Sequence, residues 1–176
     1  MDSSATSLAM TRPAHALALD EVYVRYAPYV AAIGLRLLGR DDEIDDLVGD
    51  VFVEAVRGIA QLREPEALKG WLATVTVRLA RRKLQLRRVR NLFWESDETA
   101  YERAADKSAS PEERAFVARI YARLDALPVD ERVAWTLHHL EGETLEATAE
   151  FCDCSLATVK RRVRAAHERI EKGLER

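Results

Sequence analysis

Two stretches of the chain gather positive charge. Between Trp71 and Arg90 stand Arg78, Arg81, Arg82, Lys83, Arg87, Arg88 and Arg90, with no carboxylate among them. A second group, Lys160, Arg161 and Arg164, follows Ser155, Leu156, Ala157 and Thr158. The whole chain has a formal net charge of -3, so this clustering is local. Guanidinium and ammonium groups bind phosphate and displace condensed counterions, so the chemistry offered is polyanion binding. A third row is opposite in sign. Asp42, Asp46 and Asp50 lie four apart and share one helix face. On its residues alone, such a row reads as a solvated face. Cys152 and Cys154 are the only cysteines; they stand too close for a good disulfide and lack further ligands for a metal. The four histidines have neither metal nor triad spacing, and no phosphate-cradling glycine loop or nucleophile elbow occurs. The expectation is a binding protein without catalytic residues, metal or cofactor.

The elements that must position these groups are helical. Hydrophobic residues at 48 % and charged residues at 32 % exclude a wholly disordered chain. Glycine and proline are few, as in helical proteins. The apolar runs are too short to span a membrane, and residues 1–16 read as a flexible leader without a secretory signal. A reduced, cytoplasmic protein is expected. A first helical domain is predicted over 17–91. In it, Pro28 is a candidate kink and Gly39 a stop. Ile44, Leu47, Val48, Val51, Phe52, Ala55 and Val56 then mark one buried helix face, capped by Asp41 or Asp42. In the basic segment Leu68, Trp71, Leu72, Val75 and Leu79 form an inward stripe. Thr74, Arg78, Arg81, Gln85 and Arg88 form a second row.

Residues 92–109 lose apolar periodicity, carry an excess of acids and end in Ser and Pro, so they read as an acidic linker. Phe93 and Trp94 are placed to dock back on the first domain. A second domain is predicted over 110–176. Ser110, Pro111 and Glu113 have the spacing of a capped helix start, and Phe116, Val117, Ile120 and Leu124 face inward behind it. Thr144 and Ser155 cap two further helices across a short turn. Ala149 stands at their close approach, with Val159 and Val163 inward. This is a helix-turn-helix, the arrangement that presents a second helix to a DNA major groove. The fold class is all-α: two small helical domains joined by an acidic linker.

The segments "IDDLVGDVFVEAV", "WLATVTVRLARRKLQLRR" and "LEATAEFCDCSLATVKRRVRAAHERI", in this order and spacing, resemble the extracytoplasmic-function (ECF) sigma factors of the sigma-70 family. The resemblance implies a region 2 domain and a region 4 domain, core RNA polymerase and promoter DNA as partners, and a role in transcription initiation. It implies that Asp45, Asp46, Asp50 and Phe52 belong to the helix that binds the polymerase clamp. The loop 61–67 and the helix after it would handle the -10 element, through Leu68, Lys69, Thr74, Arg78, Arg81, Arg82 and Arg88. Ser155, Leu156, Ala157, Thr158, Lys160, Arg161 and Arg164 would read the -35 element. An anti-sigma factor enters by the same resemblance as a partner that nothing in the chain identifies. Arg78 and Arg82 stand where relatives often carry Asn and Asp, and Gly49 where a Gln or an acid is common, so no relative's promoter sequence transfers.

Two other readings fit parts of the pattern. A stand-alone helix-turn-helix regulator would use only the C-terminal half and bind duplex DNA by itself. A polymerase-binding adaptor would use the acidic helix without directing transcription. The acidic helix followed by the basic one argues against the first.

Overall fold

A computed structural model describes residues 19–59, 62, 65–91 and 109–174. Among them are seven α-helices, one 3-10 turn (Pro65–Ala67) and no strand. The first domain holds α1 (Leu19–Leu38), α2 (Ile44–Gly58) and α3 (Leu68–Asn91). The second holds α4 (Pro111–Asp125), α5 (Val129–His139), α6 (Leu145–Phe151) and α7 (Leu156–Leu174). The leader expected before the first domain and, apart from Ala109, the linker expected after it lie outside the described residues, as do Phe93 and Trp94.

α1 buries Val22, Val30, Ile33, Leu37 and Leu38. It runs as one helix through Pro28. Pro28 is exposed, so water can satisfy the carbonyl that loses its partner. Gly39 ends the helix with φ +69°, where a side chain would be strained. A Cβ at this position would also lie 2.3 Å from the ring of Tyr121, a residue of the second domain.

α2 buries Leu47, Val48, Val51, Phe52 and Ala55, as its periodicity predicts. Val56 is exposed instead. Its N-cap residue is Glu43, and the side chain makes no cap bond. Asp42, expected along with Asp41 as the cap, accepts hydrogen bonds from Arg40 Nε and Nη2 at 3.1 and 3.0 Å. That pairing holds its carboxyl below the usual carboxylate range. A neighbouring guanidinium outcompetes the helix amides for it.

α3 is covered on more than the predicted side. Leu68, Leu72 and Val75 are buried, with Trp71 and Leu79 half-buried. Ala73, Thr76, Val77, Ala80, Leu84 and Arg87 are buried as well. The reason is that α3 packs on α1 and α2 and also meets α5 and α6. Val133, Leu137 and Cys152 of the second domain therefore share one apolar cluster with the first domain's core. Burial pushes the Cys152 thiol up to about 11, which leaves it unreactive at neutral pH.

The second domain starts at a complete capping box: Glu113 N donates to Ser110 Oγ at 3.2 Å and Ser110 N donates to Glu113 Oε2 at 2.7 Å. Ser110→Ala is expected to cost about 1 kcal/mol, read as a lower denaturant midpoint with unchanged slope. Phe116, expected inward, is 54 % exposed. Residues 111–116 run free of the body, and α4 joins the core only from Val117 onward. There Tyr121, Leu124, Leu127, Ala166 and Ile170 pack together. Thr144 Oγ1 accepts from Ala147 N and Ser155 Oγ accepts from Thr158 N, at 3.1 and 3.2 Å. Asp153 takes φ 49° in the turn between them, a conformation Asp tolerates better than most residues. Ala134, Ala149, Val159 and Val163 form the core that fixes α7 against α6.

Candidate nucleic-acid interface

α7 is a long helix whose first turns are positioned by that core and by the Ser155 cap. Val159 and Val163 point inward, so their neighbours at other angles must point out. Ser155, Ala157, Lys160, Arg161 and Arg164 are exposed, with Leu156 and Thr158 half-buried. Lys160, Arg161 and Arg164 line a shallow groove with Ala165 and Glu168. Arg164 Nε donates to Glu168 Oε1 at 2.9 Å one turn later, an exposed pair that lowers the glutamate's pKa. Such pairs are weak, so phosphate can displace the carboxylate. The N-terminal half of α7 thus presents small residues flanked by cations, the form a major-groove reader needs.

The basic row of α3 is divided among several partners. Arg82 is exposed, with no hydrogen bond or ion pair among the described residues. Arg78 pairs with Glu54 of α2. Arg81 Nε lies 2.6 Å from Asp130 Oδ1 of α5. Arg88 Nη1 donates to the Leu127 carbonyl at 3.3 Å. Thr74 is half-buried and its hydroxyl donates to the Gly70 carbonyl at 3.1 Å. Lys69 is exposed and sits 4.8 Å from the centre of the Tyr29 ring. Leu68 is fully buried, so it supports the helix start from below. Residues 61, 63 and 64 of the loop lie outside the described residues; Glu66 and Ala67 are exposed.

On α2, Asp45, Asp46 and Asp50 form an exposed acidic face, and Phe52 is buried beneath it with Tyr23 edge-on at 4.7 Å. Asp50 lies 3.6 Å from Lys83. A Cβ at Gly49, between Val48 and Asp50, would meet nothing within 4 Å. This part of the face is therefore open to a partner's close approach. The molecule carries an acidic face and two cationic helices on three separate helices.

Sequence reasoning missed Arg132 and Asp130. Arg132 is 2 % exposed and donates to backbone carbonyls of α1. It occupies an inward position of the series Val129, Arg132, Val133, Thr136 and Leu137, and a charge there was the available signal. Asp130 bridges α3 and α7, because its second oxygen lies 2.6 Å from Arg162 Nη2.

Comparison with known proteins places this arrangement. Sigma-70 region 2 matches residues 22–90 and Sigma-70, region 4 matches residues 118–170. The probable RNA polymerase sigma factor RfaY of Xanthomonas campestris pv. campestris is 33 % identical over 149 residues, covering 82 % of this chain and 37 % of the relative. The chain thus spans little more than a third of that relative's length. The ECF RNA polymerase sigma-E factor of Haemophilus influenzae is 33 % identical over 156 residues, covering 84 % and 82 %. The sigma factor RpoE of Bartonella quintana, solved in complex with the anti-sigma factor NepR, shares the fold. Its TM-score is 0.64 at 24 % identity, over 89 % of this chain and 96 % of that one.

Proposed function

Because this chain belongs to the sigma-70 family of RNA polymerase sigma factors, being matched by its region 2 and region 4, we propose that each domain performs one half of promoter recognition. The chain binds core RNA polymerase and directs promoter-specific transcription initiation. Residues 17–91 form the region 2 unit, 92–109 the linker and 110–176 the region 4 unit. The exposed carboxylates Asp45, Asp46 and Asp50 meet the polymerase clamp, and Phe52 holds their helix in place. Lys69, Arg78, Arg81, Arg82 and Arg88 track the -10 DNA, on a helix seated by Leu68 and Thr74. Ser155, Leu156, Ala157 and Thr158 let α7 approach the -35 bases, while Lys160, Arg161 and Arg164 contact guanine edges or phosphates. The work is binding and strand capture, with no bond chemistry assigned to the chain. It takes place in the cytoplasm, with polymerase and promoter.

The observation that carries this reading is the capped helix-turn-helix and the paired acidic and basic helices in one chain. A helix-turn-helix regulator has no use for the second feature, and an adaptor has no use for the first. No helix among the described residues is long and apolar enough to cross a membrane. One solved neighbour is a sigma factor held by an anti-sigma factor, and we extend that class of partner to this chain.

The test is run-off transcription with purified chain, bacterial core polymerase and a genomic fragment library. Transcripts starting at a common promoter pattern are expected only when both proteins are present. Tight duplex binding without transcripts would favour the regulator. Polymerase binding without transcripts would favour the adaptor.

A further inference from the structure

Between the C-terminal half of α3 and the corner where α4 meets α5 lies a cavity of about 180 Å³. Its charged lining is one-sided: three guanidinium groups, from Arg87, Arg88 and Arg132, against one carboxylate, from Asp125. Leu84, Leu127 and Val129 supply the apolar wall. Such walls weaken the screening by water, so charge acts more strongly here than on an open surface. The volume lies below the roughly 300–1,000 Å³ that drug-sized ligands need, which restricts an occupant to a small molecule or ion.

The donors of the three arginines are not used equally. Arg132 is committed: Nε and Nη2 donate to the Leu37 carbonyl at 3.1 and 2.9 Å, and Nη1 pairs with Asp125. Arg87 is 5 % exposed, and its Nη1 donates to the Leu38 carbonyl at 3.0 Å. Its Nη2 lies 3.0 Å from Glu43 Oε2 but out of hydrogen-bond alignment, and its Nε has no hydrogen-bond partner among the described residues. Arg88 makes a long bond, from Nη1 to the Leu127 carbonyl at 3.3 Å. A buried N–H without an acceptor carries its full desolvation cost, so the fold leaves a donor here waiting for one. Charge tells the same story. Burial pushes the Arg132 guanidinium below its ordinary value; Asp125 opposes this, and the neighbouring Arg87 charge adds to it. Even with Glu43 counted beside Asp125, three cations stand against two carboxylates.

We propose that this cavity binds a small phosphate-type anion, orthophosphate or pyrophosphate, held by Arg87 and Arg88 with the charge of Arg132 behind them. The anion brings the missing acceptors and neutralises the excess charge in one step. Guanidinium groups suit it because their planar forks match phosphate oxygens. A recess bounded by three helices and lined by a buried guanidinium admits a free anion, not the backbone of a stiff duplex. The site needs nothing from the function proposed above. Arg88 is common to this site and to the basic row of α3, so a bound anion takes one cation from that row.

The test titrates the full chain with potassium phosphate and, separately, with pyrophosphate, against potassium chloride of matched ionic strength. Calorimetry is expected to show one anion taken up per chain. Thermal unfolding is expected to rise by about 3–6 °C at ten times the dissociation constant, a gain that chloride does not reproduce. Arg87→Gln is expected to weaken affinity at least about tenfold, through loss of a charge-assisted hydrogen bond. Arg87 also ties down α1, so a second variant keeps every charge. Val129→Met fills the cavity and is expected to weaken affinity by about tenfold or more, because the anion and the larger side chain compete for one space. Both variants are checked for native helical content by circular dichroism. Uptake of either anion by the wild-type chain, weakened in the folded variants, supports the site. Phosphate and pyrophosphate that stabilise no more than chloride overturn it. So does a folded Val129→Met chain that takes up the anion as tightly as wild type, since that places the anion on an exposed basic surface such as the α7 groove.

Discussion

Arg161→Ala combined with Arg164→Ala is expected to lower promoter-specific transcription about a hundredfold at physiological salt. A side chain that reads a base contributes about 1–3 kcal/mol, and one that holds phosphate weakens binding uniformly and reduces the salt slope by about one. Both residues are exposed on α7, and the one ion pair lost among the described residues is the solvent-facing one between Arg164 and Glu168. Stability should therefore be unchanged, and the whole effect should appear in DNA contact. Transcript yield measured across a salt series checks this. The variant's log affinity should fall less steeply with log salt than the wild-type value, because fewer counterions are released. Equal yield and equal slope would remove α7 from the DNA interface.

Asp46→Arg is expected to weaken binding to core polymerase by between about tenfold and a hundredfold while leaving thermal unfolding unchanged. Asp46 is exposed on α2 beside the buried Leu47 and Val48, so its side chain contributes nothing to the core. Reversing its charge places like charges together at a basic partner surface, which costs several kcal/mol when the pair is desolvated. Asp50 is a less clean position for the same test, since Lys83 lies 3.6 Å away and an arginine there would repel it. Competition binding against unlabelled wild-type chain gives the affinity ratio. An unaltered ratio would move the polymerase contact off this face.

Much of this organisation was legible in the sequence because it rests on local rules. The faces of α2 and α7 follow from their apolar spacing, and Ser110, Thr144 and Ser155 have the cap geometry that their neighbours predict. What escaped depends on contacts between distant parts. Ala73, Val77, Ala80 and Leu84 are buried because α3 packs on α1 and α2 and also meets α5 and α6, so more of its circumference is covered than one apolar stripe predicts. Phe116 is exposed because α4 outreaches the core it belongs to. Asp42 failed as a cap because Arg40, two residues before it, captured the carboxylate. The basic row of α3 itself was visible as a charge pattern. Its division into the exposed Arg82, the bridged Arg81 and the carbonyl-bound Arg88 was not, since each partner comes from another helix. Arg132 shows the same limit: an inward-facing arginine signals a buried acceptor but does not say that the acceptor is the end of α1.

The central claim is that a cationic helix from each domain touches the same promoter while polymerase holds the chain. Photo-reactive residues placed singly at Arg82 and Lys160, in complexes that demonstrably transcribe, test it directly. The account predicts that the first cross-links near -10 and the second near -35 of one DNA. Transcribing complexes in which either position leaves the DNA unmarked would contradict it.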